Sequence, residues 1–152
     1  MFNNLLFTIR EATIKDVRLT FSWQVNPSIR RYSRVSSPPS FAEHEAWFKE
    51  SLLDHNRDVW IFENEGLPLG QLRVDKGVKN EISILISPEY MGHGFGGIAL
   101  GLTCQHYKAI DLWAFVKAEN EKSIKLFTKY KFIHKYGNWY LLRSHNTQVL
   151  SD

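Results

Sequence analysis

Apolar and polar residues repeat with two different periods along the chain, and the clearest helical period follows a loop through Pro38 and Pro39. Aromatic and apolar side chains recur at near-helical spacing over residues 41–55, which predicts a helix with one buried face. Ser40 and Glu43 stand three residues apart at its start, the spacing of a capping box. The pattern therefore predicts a helix that begins after Ser40 and extends to His55.

Elsewhere the same two periods predict a mixed α/β chain. The predicted strands cover residues 5–12, 59–63, 69–75, 81–86 and 111–116, followed by a hairpin of 133–136 with 139–143. The predicted helices cover residues 15–26, 94–108 and 121–131. Turns at 65–66 and 77–80 separate the three strands from 59 to 86, so these strands are expected to form an antiparallel meander.

Composition narrows the class of protein. The 152 residues are 43% hydrophobic and 14% aromatic, which predicts one domain over residues 1–152 with a core of its own. A net charge of +3 with scattered basic residues gives no reason to expect a nucleic-acid partner. No apolar run long enough for a membrane span and no secretion signal occur, so a cytoplasmic protein is expected. Cys104 is predicted to be a core residue, and no metal-ligand spacing such as His-Glu-x-x-His occurs.

A glycine-rich turn carries the strongest chemical signal. The predicted strand 81–86 leads to Met91-Gly-His-Gly-Phe-Gly-Gly97, which opens a helix. Backbone N–H groups at such a turn bind phosphate oxygens, and the helix dipole favours negative charge. A Walker loop is excluded because Gly97 is followed by Ile98 rather than Lys. A dinucleotide fingerprint fits poorly because the motif lies past mid-chain, after hairpin-like strands.

The same turn resembles the acetyl-CoA signature of the GNAT superfamily of N-acyltransferases, Gln/Arg-x-x-Gly-x-Gly/Ala. Gly94-Phe95-Gly96 supplies the glycines, and Met91 stands at the Gln/Arg position. Downstream, Asn120-x-x-Ser123-x-x-Leu126-Phe127 resembles the closing helix of that superfamily. The resemblance implies a central, mostly antiparallel, splayed sheet flanked by helices, with acetyl-CoA as the acyl donor. It also implies a set of cofactor-binding residues: Leu85 and Ile86 for the pantetheine amides, Met91, Gly92, His93, Gly94, Phe95, Gly96 and Gly97 for the pyrophosphate, and Asn120, Ser123 and Phe127.

The N-terminal half resembles a narrower group, the nucleotide-sugar N-acetyltransferases of the pseudaminic acid pathway. The resemblance rests on Trp23-Gln-Val-Asn26, Ile29-Arg30-x-x-Ser33, His44-x-x-Trp47 and the segment 68–75. It implies acetylation of the 4-amino group of a UDP-linked 4-amino-4,6-dideoxy sugar, a small-molecule acceptor. The implied substrate-binding residues are Trp23, Arg30, Trp47 and Arg73, with Arg31 and Arg34 as further candidates for a diphosphate.

Two other functions remain open from the sequence. The first is acetylation of a protein N-terminus, a ribosomal protein or a polyamine, because similar spacing occurs in the ribosomal-protein and aminoglycoside acetyltransferase branch. The second is a noncatalytic acyl-CoA-binding domain, because Met91 and Phe127 replace side chains that the superfamily often uses. A homodimer is also possible, through an exposed strand edge.

Few catalytic side chains are required for transfer to an amine. His44 is a candidate base, with a packing role beside Trp47 as the alternative. Glu81 is a second candidate base acting through water, with an exposed position at the start of a strand as the alternative. Ser83 is expected on the same strand face as Glu81, where it would position the amine. Because Phe127 stands where the superfamily often has tyrosine, Tyr130 is the candidate proton donor. Tyr90, before the glycine-rich turn, is a second candidate, and a packing role is the alternative for both tyrosines.

Overall fold

The computed structural model describes residues 2–145. Five helices and seven strands follow one another in this part of the chain. They are β1 (Phe7–Glu11), α1 (Val17–Gln24), α2 (Pro27–Arg30), α3 (Phe41–Leu53), β2 (Arg57–Asn64), β3 (Leu67–Asp75), β4 (Glu81–Ile86), α4 (Phe95–His106), β5 (Leu112–Phe115), α5 (Glu121–Lys129), β6 (Ile133–Tyr136) and β7 (Trp139–Leu142). Two short 3-10 turns cover Ile14–Asp16 and Pro88–Tyr90.

The predicted elements all occur, and the differences lie at their ends. The predicted helix 15–26 occurs as a 3-10 turn followed by α1, and it ends two residues early, at Gln24. The loop predicted after it is wrong at its start, because Asn26 accepts a hydrogen bond from the Ser28 N–H at 3.0 Å and starts the new helix α2 with Pro27 in its first turn. The predicted extension of the next helix to His55 is also wrong. That helix, α3, ends at Leu53 because Asp54 has an extended backbone. The predicted capping box of Ser40 and Glu43 is confirmed.

The strands form one seven-stranded sheet in the order β1-β2-β3-β4-β5-β7-β6. Neighbouring strands are antiparallel, except that β4 and β5 are parallel. The predicted meander of β2, β3 and β4 is therefore confirmed. Strands β4 and β5 pair only at Glu81 and Trp113, so they diverge beyond that point, as the predicted splayed sheet requires.

Helices cover both faces of the sheet. On one face, the side chains of Leu72, Val74 and Ile82 are at most 2% exposed and belong to the clusters that α4 and α5 complete with Leu100 and Phe127. Cys104 is half-buried against the same core, and burial raises the pKa of its thiol to about 12. This placement agrees with the packing role expected for Cys104.

On the other face, α1 and α3 cover only part of the sheet. Phe48 of α3 packs on Val59 and Ile61 of β2, and α3 contacts α1 beside it. The strand residues on this face include Arg73 of β3 and its pairing partner Ser83 of β4. Helix α3 packs on β2, and the polar side chains of Arg73 and Asp75 on β3 and of Glu81 and Ser83 on β4 remain partly accessible, whereas Gln71 of β3 is buried.

Candidate active site

An opening between β4 and β5 lies at the centre of the sheet. The Trp113 N–H donates to the Asn80 carbonyl at 2.8 Å, next to the one pair that joins these strands. From there to Ile86, the β4 edge that faces β5 has no paired strand in the described part of the chain. An unpaired strand edge presents N–H and C=O groups that an amide-containing ligand can bind.

The hydrogen-bond phase of β4 identifies the backbone groups that face this opening. The Ser87 N–H donates to the Leu69 carbonyl at 2.8 Å, which fixes the alternation of the antiparallel pair. Leu85 therefore exchanges its hydrogen bonds with Gln71 of β3, its pairing partner. The N–H and C=O groups of Ile84 and Ile86 point toward β5 instead. Of the two residues predicted for the pantetheine, the backbone groups of Leu85 are thus directed away from the opening, and those of Ile86 face it.

The glycine-rich loop leads from this strand into α4. Gly92 and Gly94 have φ angles of +84° and +76°, a region that glycine adopts without strain. Gly94 is the N-cap residue of α4, and no side chain caps the helix there. The first turn has no acidic residue, and residues 91–94 are exposed. The exposed N-terminus of this 12-residue helix therefore offers unoccupied N–H donors and a favourable dipole for an anion.

Helix α5 packs closely on the start of α4 because glycines line the contact. A Cβ atom at Gly96 would lie 3.4 Å from Leu126, and one at Gly97 would lie 3.1 Å from the Tyr130 hydroxyl. The Tyr130 ring thus rests on the first turns of α4, close to the glycine-rich loop. Phe127 is 4% exposed and packs edge-on against Phe132 at 5.0 Å. Phe127 is therefore a core residue, and Tyr130 is the partly exposed aromatic side chain of this helix.

Asn120 and Ser123, two other predicted cofactor residues, are at the start of α5. The Asn120 side chain accepts a hydrogen bond from the Ser123 N–H at 3.3 Å. Asn120 is therefore the N-cap residue of α5. Both residues are half-buried, so each keeps some accessible surface. The exposed ring of His93 in the loop stacks on Phe95, the first residue of α4, with ring centroids 5.4 Å apart. Phe95 is buried in the core.

On the face covered by α1 and α3, a network of charged side chains surrounds Asp75. Arg57 and Arg73 donate from their Nε atoms to the two carboxylate oxygens of Asp75 at 2.5 and 3.0 Å. Arg73 also donates to the Ser83 Oγ at 3.4 Å. The guanidinium carbons of both arginines lie 5.4 Å from the Trp47 ring centroid. The structure thus brings the predicted residues Trp47, Arg73 and Ser83 together.

Glu81 on β4 is the pairing partner of Asp75, and its own carboxylate has a different arginine partner. Arg34, from the loop between α2 and α3, donates to the Glu81 carboxylate. The Arg34 guanidinium also stacks on Phe115 at 4.1 Å and on Trp139 at 5.3 Å. The Glu81 side chain is 15% exposed. The exposed position considered for this glutamate is therefore wrong, because Arg34 covers it.

His44 and Trp23 are buried away from open surface. His44 is 3% exposed, its Nε2 lies 3.0 Å from the Thr20 Oγ1, and its ring packs beside Trp47 and Phe48. Burial lowers the pKa of His44 below its ordinary value, so the ring is neutral near pH 7. Trp23 is 4% exposed. Both positions fit the packing alternative, because neither ring presents a face to a ligand.

Arg30, the remaining predicted substrate residue, borders a cavity of about 270 Å³ formed by α2 and the loop that follows it. Its guanidinium donates to the Val35 carbonyl at 2.7 Å, while its Nε is buried without a hydrogen-bond partner. Burial lowers the pKa of Arg30. Arg30 therefore borders its own cavity, apart from Arg73 and Glu81 on the sheet. The loop between α2 and α3 connects the two, because it borders this cavity and carries Arg34, which binds Glu81.

Sequence reasoning missed Arg57, Asp75, Phe115 and Trp139 as site residues. Strand register was the available signal, since Asp75 pairs with both Arg57 and Glu81 across neighbouring strands.

No cluster of three metal-ligating side chains occurs among residues 2–145. No helix in that range is long and apolar enough to cross a membrane.

The family of the chain follows from a match that covers most of its length. The family model described as an acetyltransferase (GNAT) domain matches residues 7–133. The chain belongs to the GNAT acetyltransferase family. This assignment, together with the seven-stranded splayed sheet, confirms the fold and the class of enzyme predicted from the glycine-rich turn. Comparison with curated protein sequences gives no match.

Solved structures support the fold of this GNAT acetyltransferase. The aminoglycoside acetyltransferase AAC(6')-Ib in complex with coenzyme A superposes with a TM-score of 0.80 at 13% identity, covering 96% of this chain and 99% of that one. Spermidine N-acetyltransferase from Vibrio cholerae, with CoA and spermine, superposes with a TM-score of 0.80 at 19% identity, covering 91% and 93%. A domain from Methanocaldococcus jannaschii gives 0.76 at 26% identity, covering 89% and 95%. The CoA in two of these structures agrees with the predicted donor, acetyl-CoA.

Proposed function

We propose that this GNAT acetyltransferase transfers the acetyl group of acetyl-CoA to the 4-amino group of a UDP-linked 4-amino-4,6-dideoxy sugar. The general reaction follows from the family. The acceptor is inferred from the N-terminal motifs and from the charge of the sheet face that holds Arg73 and Glu81. Two of the structurally similar enzymes are named for cationic acceptors, an aminoglycoside and spermidine. The sign of the charge on this face therefore distinguishes a cationic acceptor from a phosphate-bearing one.

Donor binding is assigned to the opening between β4 and β5 and to the glycine-rich loop. The unpaired groups of Ile84 and Ile86 are suited to the amides of pantetheine, as a short strand would be. The N–H groups at the start of α4, after Gly94, are suited to the pyrophosphate. Met91 at the Gln/Arg position removes a side-chain donor, and it leaves these backbone donors in place.

The observation that carries the acceptor proposal is the arginine pairing of the carboxylates on this face. Asp75 is bound by Arg57 and Arg73, and Glu81 is bound by Arg34. Three guanidinium groups thus face two carboxylates, which leaves the surface positive. A polyamine or an aminoglycoside is bound best by carboxylates that have no cation of their own. Guanidinium groups form paired hydrogen bonds to phosphate oxygens, so a positive surface that carries arginines favours an acceptor with phosphate.

The chain supplies few groups for the chemistry. Acetyl-CoA supplies the thioester whose carbonyl carbon the amine attacks, forming the amide C–N bond and breaking the C–S bond. We assign Glu81 as the acceptor of the amine proton, through water, because it adjoins the opening, whereas His44 is buried against Thr20. Ser83 positions the amine from the same strand face. Tyr130 is assigned as the donor of a proton to the departing CoA sulfur, since its hydroxyl lies at the start of α4.

The substitution Arg73→Gln tests the acceptor proposal. It removes one positive charge beside Ser83 while Arg57 still holds Asp75. The KM for the UDP-linked amino sugar is expected to rise about tenfold, as for loss of a charge-assisted hydrogen bond, with the KM for acetyl-CoA unchanged. Arg18→Gln is the control, because its guanidinium rests on Phe41 and makes no contact with the sheet network. An unchanged acceptor KM in Arg73→Gln, or a preference of the unmodified enzyme for spermine, contradicts the proposal.

A further inference from the structure

Four aromatic rings form a partly exposed surface beside the opening, and the proposed reaction assigns no role to these side chains. Trp113 and Phe115 lie on β5, Trp139 on β7 and Tyr136 on β6, and we refer to these four rings as the aromatic surface. Phe115 pairs with Trp139 across the two strands, and their ring centroids are 5.3 Å apart. Trp113 contacts Trp139 at 6.3 Å and Tyr136 at 6.2 Å.

The aromatic surface belongs to the same sheet face as Glu81. Trp113 is the pairing partner of Glu81, and paired residues point to one face. Trp113, Phe115 and Trp139 are half-buried, and Tyr136 is 52% exposed. Paired strands lie about 4.8 Å apart, so beside the pair of Glu81 and Trp113 the strand β7 lies roughly 10 Å from β4 and the strand β6 roughly 14 Å. A ligand with its amine at the β4–β5 opening would reach these rings through its distal part.

Two cations lie on the aromatic surface. The Lys79 ammonium is 5.1 Å from the Trp139 ring centroid, 5.3 Å from that of Trp113 and 5.6 Å from that of Tyr136. Among the described residues, no carboxylate lies within ion-pair distance of Lys79. Arg34 lies on Phe115 and Trp139, as described above, and joins the surface to Glu81. Positive charge on exposed aromatic rings suits a ligand that combines a flat base with phosphate.

We propose that the aromatic surface, with Lys79 and Arg34, binds the nucleotide part of the acceptor, the base stacking on the rings and the diphosphate lying against the two cations. This inference rests on the proposed function, because it locates the distal half of the same acceptor. The inference also explains the contact between Arg34 and Glu81. The exposed Arg34 binds Glu81 when no acceptor is present. A diphosphate offers the Arg34 guanidinium another anionic partner, which would release the Glu81 carboxylate.

The test measures binding of UDP to the full-length enzyme saturated with CoA, so that the glycine-rich loop is already filled. Titration calorimetry gives the affinity, and quenching of tryptophan fluorescence reports on Trp113 and Trp139. Tyr136→Ala and Lys79→Gln alter exposed or half-exposed side chains. Ile133→Ala is the matched control on β6, because Ile133 is 67% exposed and outside the ring contacts. Lys15→Gln is the control for loss of one positive charge.

UDP is expected to bind with fluorescence quenching, and its affinity should fall roughly tenfold in Tyr136→Ala and in Lys79→Gln, a typical loss for one stacking or cation contact. Both controls should bind UDP as the unmodified enzyme does. Equal affinity in all variants, or no binding of UDP, overturns the proposal. Sedimentation that shows a dimer dissociated by Tyr136→Ala, with UDP binding unaffected, also overturns it, because a second copy would then cover the rings.

A parallel assay separates this inference from the proposed function. The enzyme is given the UDP-linked amino sugar and the same amino sugar without its nucleotide. If UDP does not bind while both sugars are acetylated with equal efficiency, the proposed nucleotide site is wrong and the proposed acetylation of the amino sugar is retained. If UDP binds at the rings and neither sugar is acetylated, the nucleotide site stands and the proposed acceptor falls.

Discussion

The Nε2 atom of His44 lies 3.0 Å from the Oγ1 atom of Thr20, and both side chains are buried. Thr20 also donates to the Asp16 carbonyl at 2.8 Å in the turn of helix below it. The histidine that the sequence offers as a base therefore ties α3 to α1. A hydrogen bond of this kind stabilises the layer of helices above the sheet, and it keeps the ring from reaching a substrate amine.

The first prediction concerns stability against pH. Burial lowers the pKa of His44 in the folded protein below the ordinary value of 6.5, although a hydrogen bond to the Val17 carbonyl opposes this shift. The unfolded chain therefore takes up this proton more readily than the folded one does. The contribution to stability is fully present above about pH 6.5 and is lost as the pH falls below it.

Urea unfolding at about pH 7 and about pH 5 measures this effect. In His44→Gln the loss of unfolding free energy on acidification should be smaller than in the unmodified protein. The exposed His55 is the control, and His55→Gln should lose as much as the unmodified protein. The same His44→Gln protein should retain most of its turnover, and a large loss of turnover with unaltered stability would restore His44 as the base.

A second prediction assigns the proton acceptor. Glu81→Gln keeps the shape of the side chain and removes its basicity, so turnover is expected to fall about 100-fold. Affinity for acetyl-CoA should not change. Glu50, an exposed residue of α3, provides the control Glu50→Gln, which should turn over as the unmodified enzyme does. Retention of turnover in Glu81→Gln would exclude this residue as the base.

The third prediction locates the pyrophosphate site. Gly94→Asp and Gly94→Asn both place a side chain at a φ angle of +76°, with no heavy atom within 4 Å of the new Cβ, and they differ by one negative charge. Because like charges repel at the start of α4, the aspartate variant should bind acetyl-CoA at least tenfold more weakly than the asparagine variant at low salt. Calorimetry at two salt concentrations measures the difference. Equal affinities would remove the glycine-rich loop from the donor site.

A fourth prediction concerns the close approach of two strands beside the opening. A Cβ atom at Gly70 of β3 would lie 2.4 Å from the Leu85 carbonyl oxygen, and this oxygen belongs to the backbone of β4. Gly70→Ala should therefore reduce the unfolding free energy by about 1–3 kcal/mol. At Gly77 the nearest atom would be 3.9 Å away, so Gly77→Ala should be neutral or slightly stabilising. Equal unfolding free energies of Gly70→Ala and the unmodified protein in urea would show that β3 and β4 can move apart to accommodate the added methyl group.

Local patterns predicted most of the fold. Strand β4 matches its predicted bounds at Glu81 and Ile86, because alternation and the flanking turns define it from within the segment itself. Helix α2 was missed because its four residues, Pro27–Arg30, are too few to show a helical period. The end of α3 was placed too late because the apolar spacing continues to His55 after the backbone becomes extended at Asp54.

The candidate site was harder to predict because its contacts join distant parts of the chain. Arg34 and Glu81 are 47 residues apart, and no local period connects a loop arginine with a strand glutamate. The orientation of Ile84 and Ile86 toward the opening depends on the hydrogen-bond phase of β4, which the contact between Ser87 and Leu69 fixes. Sequence alternation identifies the face of a side chain and not the edge to which its backbone points.

The measurement that tests the central claim most directly is mass spectrometry of acetyl transfer from acetyl-CoA. The acceptors are a UDP-linked 4-amino-4,6-dideoxy sugar, spermine, an aminoglycoside and a peptide with a free N-terminus, each given to the same preparation. The account predicts that the sugar gains one acetyl group and that the two polycations do not, because arginines already occupy Asp75 and Glu81. Acetylation of spermine or the peptide with no change in the sugar would contradict it.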